Sequence, residues 1–593
     1  MPIWPPQHRL TMKIAIAILA SSLVSTGFGL ESSPNLVRVL GPQAVNLWRL
    51  DAEAKAKTLG NAALRVQDSN ESLNPLAEFP VQVFEQPLDH FGGVNGTFNQ
   101  RYWVNSRHFT SGGPVIVLDG GETSGEDRLQ FLDTGIVEIL AKATGGLGVV
   151  LEHRYYGESI PVPDFSTDNL RFLSNEQAAA DSANFMANVK FEGIKDDLTA
   201  PKTPWIYYGG SYAGARAAHM KILYPDLVFG AIASSGVTHA ALSNWQYMDI
   251  IRRAADPTCM RNIEQSIRIV DTILTTRVFA RPLKGLFGLA DLEHDVDFVS
   301  TIESPLGSWQ SKNWNPAIGS TRFDTFCAAV NTAPEGMANF TDLPFGARER
   351  LVHITDGLSL DFALTNYAKY IKDNVASRCR STVEECFGTF DDSQYQAIGL
   401  DQDWRLWTFQ VCTQWGYFTT APPDPRTPRI ISKLLTLDYE SKICKQAYPP
   451  GKHFTVPPFP NVTAVNVLGD FAIAADRLAI IDGEVDPWRP DTPHSEDAKP
   501  RPDTALRPFK LIPDAVHHYD EYGLADMFAE PPEILKIHNE MIIFVQDWLA
   551  DFKAPDKALV APSTLNETGY SNSSRPTVPH AHAAGLRDHH PAV

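Results

Sequence analysis

A serine in a glycine-rich turn is the feature of this sequence that points most directly to chemistry. The run WIYYGGSYAG at residues 205–214 joins an apolar, strand-like segment to a segment with helical spacing, with Ser211 between them. A sharp strand-to-helix turn lifts a side chain above the edge of a sheet, and small neighbours let the two backbones approach. Such a turn would present the hydroxyl as a nucleophile. Because Ala213 replaces the usual glycine, an ordinary glycine-rich turn is the alternative.

Residues of the types that activate a serine follow two later strand-like segments. A serine hydroxyl is a weak nucleophile until a base accepts its proton, and an acid must orient that base. Asp482 and Asp486 follow the first of these segments, and His517 and His518 follow the second. We expect Asp486 to be the acid and His517 to be the base, with Asp482 and His518 as the alternatives.

Hydroxyl attack on a carbonyl produces an oxyanion, which needs backbone N–H donors. We expect one donor from Tyr212, directly after the serine, and the other from Gly121 in the Gly-Gly-Glu loop at residues 120–122. The sequence contains no Walker loop, GxGxxG helix start, HExxH motif or paired CxxC. We therefore predict no cofactor and no metal ion.

The elements that must position these residues alternate along the chain. Strands are predicted at 115–118, 148–151, 205–208, 229–233, 477–481 and 509–512, and helices at 129–143, 177–189, 214–223 and 534–552. This alternation is typical of a parallel sheet with helices on both faces. The serine, acid and histidine each follow a strand and occur in the chain order of α/β-hydrolases, so we predict the α/β-hydrolase fold.

The alternation is interrupted between residues 245 and 470. That segment reads as helices with long loops, and all six Cys of the chain lie in it. We predict a hydrolase domain in two parts, residues 81–244 and 471–555, with a mainly helical insertion at 245–470. This insertion is called the cap below.

The two ends of the chain are typical of an exported protein. Residues 1–29 are predicted to be a signal peptide, because Lys13 precedes an apolar run at 14–24 that is too short for a confident membrane span; a buried N-terminal helix is the alternative. Residues 30–80 are predicted to be an N-terminal arm or a propeptide, with a helix at 44–59, and residues 556–593 a disordered tail without a membrane anchor. N-glycosylation sequons occur at Asn70, Asn95, Asn339, Asn461, Asn566 and Asn572.

Composition limits the class of protein. The chain has 593 residues, of which 43% are hydrophobic and 10% aromatic, which excludes a mostly disordered protein. It has 70 acidic and 51 basic side chains, a formal net charge of −19, which argues against nucleic acid or an anionic membrane as a main partner. Composition carries no signal of the oligomeric state.

Several longer strings resemble one family of secreted and lysosomal serine peptidases, which includes prolyl carboxypeptidase, dipeptidyl peptidase II and the fungal acid prolyl endopeptidases. The resemblance covers roughly residues 80–550 and is most specific in EHRYYGES at 152–159 and GGSY at 209–212. FEQPLDHF at 84–91, LRFLSNEQA at 170–178, DPW at 486–488 and the histidine pair at 517–518 add to it.

The resemblance implies a function and roles for particular residues. It implies a secreted or extracellular enzyme, or one of a lysosome- or vacuole-like compartment, that cuts peptide or protein substrates after proline through an acyl-enzyme. Ser211, Asp486 and His517 would be the catalytic residues, and Trp488 would line the proline pocket, with plain packing as the alternative for Trp488. Segment 407–412 of the cap would cover the active site. An ester hydrolase and a non-catalytic binding protein with this fold are the alternative functions.

With the resemblance in mind, we expect the six Cys to form three disulfides. The expected pairs are Cys259–Cys327, Cys379–Cys386 and Cys412–Cys444.

Overall fold

The computed structural model describes residues 43–44, 46–47, 49–50, 78–333 and 343–554. The predicted signal peptide, the predicted tail and the sequons at Asn70, Asn339, Asn566 and Asn572 lie outside the described residues, as do most of the predicted arm and its helix. Asn95 and Asn461 are described, and both are exposed. The six described residues between 43 and 50 are helical.

An eight-stranded sheet forms the centre of the molecule, in the order β1-β2-β4-β3-β5-β6-β11-β12. Strands β1 and β2 pair antiparallel to each other, and β2 pairs antiparallel to β4, whereas the remaining strands of the sheet are parallel. This order and this change of direction are those of the α/β-hydrolase fold, which confirms the predicted fold class. The strands are β1 (Gln82–Pro87), β2 (Thr97–Asn105), β3 (Val115–Asp119), β4 (Leu147–Leu151), β5 (Trp205–Gly210), β6 (Gly230–Ser234), β7 (Ala241–Ser243), β8 (Leu351–Thr355), β9 (Leu358–Asp361), β10 (Gly416–Phe418), β11 (Leu478–Gly483) and β12 (Phe509–Ile512).

The helices after β1 are α1 (Leu129–Asp133), α2 (Ile136–Thr144), α3 (Thr167–Leu170), α4 (Asn175–Asn188), α5 (Tyr212–Leu223), α6 (Gln246–Ala254), α7 (Pro257–Thr276), α8 (Ala280–Leu286), α9 (Asp295–Glu303), α10 (Arg322–Val330), α11 (Phe362–Asn374), α12 (Val383–Phe387), α13 (Trp404–Gln410), α14 (Leu437–Glu440), α15 (Lys442–Ala447), α16 (Val462–Asn466) and α17 (Pro532–Ala550). Of these, α1, α2 and α17 cover one face of the sheet and α4 and α5 cover the other, whereas α6–α16 lie between β6 and β11. In the described part of the chain, no helix combines the length and the apolar composition needed to cross a membrane.

The central strands are apolar on both sides because both sides are buried. On β5, Ile206 and Tyr208 pack with α1, α2 and α17 on one face, whereas Tyr207 packs with α4 and α5 on the other. Successive side chains of a strand point to opposite faces, so a strand covered on both faces reads as a continuous apolar run. The parallel pairing of β5, β6 and β11 places their carboxyl ends at one edge of the sheet.

The predicted helix at 129–143 forms as two helices, α1 and α2, which are separated at Thr134 and Gly135. A Cβ on Gly135 would lie 2.6 Å from the backbone oxygen of Glu521, so the chain needs glycine where it passes the loop that follows β12. Apolar periodicity continues across this break, and the sequence pattern therefore did not reveal it.

The chain leaves the sheet after β6 and returns to it at β11. The intervening residues include helices α6–α16 and two small sheets, β7 with β10 and β8 with β9. All three expected disulfides form, and they link Cys259 with Cys327, Cys379 with Cys386, and Cys412 with Cys444. The pairing expected from the resemblance is confirmed.

Candidate active site

Ser211 lies at the turn between β5 and α5 in a backbone conformation that is rare for serine. Its φ is +61°, which is in the left-handed region. Its N–H donates to the carbonyl oxygen of Ser234 on β6 at 2.9 Å, and its own carbonyl accepts the N–H of Ala215. A Cβ on Gly209 would lie 2.0 Å from the Ala213 oxygen, so glycine is needed for this close turn. The strained turn and its small neighbours are those of a nucleophile elbow.

Ser211, His517 and Asp486 form one chain of hydrogen bonds. Oγ of Ser211 lies 2.8 Å from Nε2 of His517, and Nδ1 of His517 lies 2.8 Å from Oδ2 of Asp486. All three side chains are buried. Because the carboxylate accepts from Nδ1, the neutral imidazole keeps Nε2 as its acceptor for the serine hydroxyl.

Asp486 is buried, yet it is held in its ionised form. Burial raises its pKa, but the charge of His517 and hydrogen bonds from His517, Ser235 and the Trp488 N–H outweigh burial and lower the pKa below its usual value. The Trp488 N–H donates to the second carboxylate oxygen at 2.9 Å. The site therefore holds a negative charge beside the imidazole.

The two alternatives that the sequence left open have other partners. Asp482 lies 2.6 Å from Nδ1 of His494, and His518 lies 2.9 Å from Glu521. Neither side chain joins the hydrogen-bond chain from Ser211. The structure therefore places Asp486 and His517 together, as expected, and separates Asp482 and His518 from them.

The two predicted oxyanion donors differ in their surroundings. Tyr212 is the first residue of α5, so its amide is at a helix N-terminus, where negative charge is favoured. Gly121 has a φ of +64°, and its N–H donates to Oδ1 of Asp119 at 3.0 Å. An amide carries one proton, so in this conformation the expected donor of Gly121 is engaged by Asp119. The Gly120 N–H donates to the Leu151 oxygen.

Asp119 anchors the loop that carries Gly121. Its carboxylate accepts from Nε of Arg216 at 2.7 Å and from the Tyr207 hydroxyl. Burial raises the pKa of Asp119, but the charges of Arg216 and His153 and the hydrogen bonds from Tyr207 and the Gly121 N–H together outweigh burial, and the pKa is lowered. Because Arg216 lies on α5, this ion pair ties the loop to the helix that follows Ser211.

The EHRYYGES string has a structural explanation. The buried carboxylate of Glu152 accepts two hydrogen bonds from Arg101 and further ones from the Gly125 and Ser159 amides. His153 contacts the Tyr212 hydroxyl at 3.1 Å, and Arg154 pairs with Asp181 inside the protein. The string therefore fixes the loop after β4 beside the elbow.

The cap makes direct contacts with the loops that carry the site. Trp309 donates its indole N–H to the Val485 oxygen at 3.0 Å, one residue before Asp486. Gln410, in the segment that the resemblance places over the active site, donates to the Tyr212 hydroxyl at 2.8 Å. Cap residues therefore contact both the acid loop and the residue after the nucleophile.

Trp488, the predicted pocket residue, lies in an aromatic cluster. Only 1% of its surface is exposed, and its ring packs edge-on against Tyr247 at 5.2 Å and Tyr417 at 5.3 Å. Its indole N–H donates to Gln310 of the cap at 2.6 Å. Trp488 thus joins the acid loop to the cap through apolar contact and one polar contact.

Ser235, Asp119 and Gln310 contact the site, and the sequence argument missed all three. Ser235 directly follows β6, at the same sheet edge as Ser211, and its position after a predicted strand was the available signal. No comparable signal pointed to Gln310, because it lies in the cap and approaches Trp488 only through the tertiary fold.

In the described residues, no group of three or more His, Cys, Asp or Glu side chains is arranged to hold a metal ion.

The chain matches a protein family described as "Serine carboxypeptidase S28" over residues 86–302 and 354–541. It is 41% identical to the Arthroderma benhamiae protein named "Probable extracellular serine carboxypeptidase", over 84% of this chain and 71% of that one. It is 27% identical to the thymus-specific serine protease of Mus musculus, over 86% of this chain and 97% of that protein. It is also 27% identical to a serine protease of Bipolaris victoriae, over 81% of this chain and 90% of that one. The chain belongs to the serine carboxypeptidase S28 family and is a serine-type peptidase.

Proposed function

We propose that Ser211, His517 and Asp486 are the catalytic residues of this peptidase. The observation that carries the proposal is the hydrogen-bond chain from Ser211 through His517 to Asp486, at 2.8 Å for each contact. The strained elbow, the buried acid and the helix N-terminus after Ser211 support it.

The proposed reaction proceeds through an acyl-enzyme. Oγ of Ser211 attacks the carbonyl carbon of the scissile bond while its proton passes to Nε2 of His517. The imidazolium, stabilised by Asp486, then gives this proton to the leaving nitrogen as the carbon–nitrogen bond breaks. Water then attacks the ester carbon and loses a proton to His517. The bond between this carbon and Oγ of Ser211 breaks, the carboxylic acid product leaves, and His517 returns the proton to Oγ.

The oxyanion would be stabilised by the Tyr212 amide and by the loop at residues 120–122. Gly121 can serve as the second donor only if its N–H breaks its hydrogen bond to Asp119 and donates to the oxyanion instead. The ion pair between Asp119 and Arg216 on α5 holds this loop next to the elbow.

The proposed substrates are peptides or proteins cut after proline. The rigid, apolar proline ring is well matched to aromatic walls, and Trp488, Tyr247 and Tyr417 form such a cluster beside Asp486. The A. benhamiae relative is named as a probable extracellular carboxypeptidase. By analogy, we propose that this chain is also exported from the cell and that it removes C-terminal residues from its substrates.

Labelling with a fluorophosphonate, followed by peptide mapping, tests the nucleophile. We expect one modified residue, Ser211, and no labelling of the His517→Ala variant. Modification of another serine, or labelling that is unaffected in the variant, would contradict the proposal.

Digestion of a peptide library, read by mass spectrometry, tests the specificity, because it reports the residue before the cut and the distance of the cut from each terminus. Cuts that show no preference for proline would contradict the proposed specificity.

A further inference from the structure

One segment of the cap contacts both of the loops that carry the acid and the base. A single helical turn after α9, Leu306–Trp309, leads into residues 309–314, which are called the bridging segment below. The acid loop, residues 484–488, follows β11, and the base loop, residues 513–519, follows β12. The bridging segment contains two tryptophans and a glutamine whose polar atoms reach these loops.

Trp309 is bonded to the acid loop. Its indole N–H donates to the Val485 oxygen at 3.0 Å, directly before Asp486. The buried ring packs edge-on against Phe323 of α10, with 5.0 Å between the ring centroids. The N–H of Val485 donates to the Ala515 oxygen of the base loop at 3.0 Å. Both backbone polar groups of Val485 are therefore engaged, one by the cap and one by the base loop.

Trp314 is bonded to the base loop. Its indole N–H donates to the Tyr519 oxygen at 3.0 Å, two residues after His517. The intervening residue, His518, has a φ of +37°, in a region that residues other than glycine seldom adopt. Such strain persists only where the surroundings enforce it. The bond from Trp314 fixes the carbonyl of the residue that follows the strained one.

Gln310 adds a second contact to the acid loop. Its Oε1 accepts the indole N–H of Trp488 at 2.6 Å and the hydroxyl of Tyr247 at 3.1 Å. A side-chain amide oxygen has two lone pairs, so both bonds can form together. The bridging segment thus contacts the acid loop on both sides of Asp486, at Val485 and at Trp488.

The bridging segment is itself held in shape by the cap. The N–H of Lys312 donates to the Trp309 oxygen at 3.1 Å, and the N–H of Ser320 donates to the Ser311 oxygen at 2.8 Å. The Lys312 ammonium pairs with Asp324 of α10 at 2.5 Å. These contacts fix the spacing of the two indole donors, and with it the spacing of the two carbonyls that accept from them.

We propose that the bridging segment positions Asp486 and His517 relative to each other, with Trp309 acting through the Val485 carbonyl and Trp314 through the Tyr519 carbonyl. This inference rests on the proposed catalytic roles of Asp486 and His517. Both tryptophans act through the backbone of the loops, so they are positioning residues. Because catalytic groups must be held in the reacting geometry, displacement of either loop should lower kcat more than it changes KM.

Two substitutions remove the indole donors and keep an aromatic ring. Trp309→Phe loses the bond to the acid loop, and Trp314→Phe loses the bond to the base loop. Trp548→Phe is the matched control, since Trp548 is also buried and its indole N–H also donates to a backbone oxygen, that of Ala505, at 2.9 Å. Thermal unfolding shows whether each variant is folded. If Trp309→Phe does not fold, Trp314→Phe, at a half-buried side chain, carries the test.

The measurement is kcat and KM on a chromogenic prolyl peptide. We expect Trp309→Phe and Trp314→Phe each to lower kcat about tenfold, the scale of one hydrogen bond, and to leave KM within about twofold. Trp548→Phe should match the wild type in both constants. A folded variant of either bridging tryptophan with wild-type kcat, or a loss of the same size in the control, would overturn the inference.

A double-mutant cycle separates positioning from a general loss of structure. When Asp486 is already replaced by Asn, Trp309→Phe should lower kcat by less than about twofold further, because the carboxylate that it positions is gone. Trp314→Phe should likewise add little to His517→Ala. Any loss of thermal stability should persist in these backgrounds. A tenfold loss of kcat that repeats in them would show that the tryptophans do not act through the acid and the base.

Failure of this inference is distinguishable from failure of the proposed function. If Asp486→Asn and His517→Ala keep wild-type kcat, the catalytic assignment fails. If both of these variants lose turnover while Trp309→Phe and Trp314→Phe behave as the wild type, only the role of the bridging segment fails.

Discussion

Asp482 contacts His494 at 2.6 Å and makes no bond to His517, although it lies on the same strand-end segment as Asp486. Both acids follow the apolar part of β11, and both are buried. Asp482 thus pairs with His494, whereas Asp486, in the turn that follows, forms a hydrogen bond with His517. Substitution of each acid in turn therefore compares a buried carboxylate that contacts His517 with one that does not.

Replacement of Asp486 by Asn should lower kcat by about 10⁴-fold while the fold is retained, because the amide no longer selects the imidazole tautomer that accepts from Ser211. Asp482→Asn is the matched control, and it should keep kcat within a few-fold because its partner is His494. Steady-state turnover of a prolyl substrate checks both. Equal losses in the two variants would show that the acid has been misassigned.

Trp488→Phe should reduce the preference for proline. The smaller ring loses contact with Tyr247 and Tyr417 and the hydrogen bond to Gln310, so we expect the kcat/KM ratio of a proline to an alanine substrate to fall by about tenfold. Trp205→Phe is the control, since Trp205 is also buried and its indole N–H is also bonded, to the Leu198 oxygen. A ratio that is unchanged in Trp488→Phe, or lowered equally in the control, would argue that Trp488 only packs.

The disulfide between Cys412 and Cys444 should contribute more to stability than the disulfide between Cys379 and Cys386. Their sequence separations are 32 and 7 residues, for which chain entropy gives about 3.7 and about 2.4 kcal/mol. We expect the double Ala variant of the longer loop to lose about 1 kcal/mol more in the free energy of unfolding. Urea denaturation of the two double variants measures this difference, and the reverse order would refute the expectation.

Two buried acids of the cap should make stability depend on pH. Burial raises the pKa of Glu303 well above its ordinary value of 4.5, and the charge of Glu440 adds to the shift. Burial also raises the pKa of Glu440, with Lys442 opposing and Asp297 adding to the shift. Within the described parts of the chain, no hydrogen-bond partner reaches either carboxyl group.

Above pH 4.5 the folded protein therefore holds protons that the unfolded chain has released. The stabilisation is complete below this pH and is lost as the pH rises through the folded-state pKa of each group. Glu303→Gln should make the free energy of unfolding fall less steeply with pH. Urea midpoints from about pH 4.5 to pH 7 test this, and parallel curves for variant and wild type would contradict it.

The sequence predicted the parts of the fold and site that depend on local pattern. Ser211, Asp486 and His517 each follow an apolar strand, and parallel strands bring their carboxyl ends to one edge, so their proximity could be inferred. The approximate bounds of β3, β4, β5, β6, β11 and β12 followed from the same apolar runs, whereas β1 and β2 of the central sheet were not predicted.

Contacts set by tertiary packing could not be predicted in this way. The choice between Asp482 and Asp486 depends on where His494 lies, and the pairing of β7 with β10 joins residues far apart in sequence. The Gly121 amide was expected to face the oxyanion, but it donates to Asp119, whose position is fixed by Arg216 on another element. The contact of Trp309 with the acid loop has the same origin, because no local pattern around Trp309 indicates what it packs against.

The most direct test of the account is the turnover of Ser211→Ala on a chromogenic prolyl peptide, with circular dichroism to show that the fold is retained. The account predicts that kcat falls by about 10⁶-fold, as expected when a serine nucleophile is removed. A folded Ser211→Ala variant whose turnover matches that of the wild type would contradict the assignment of the active site.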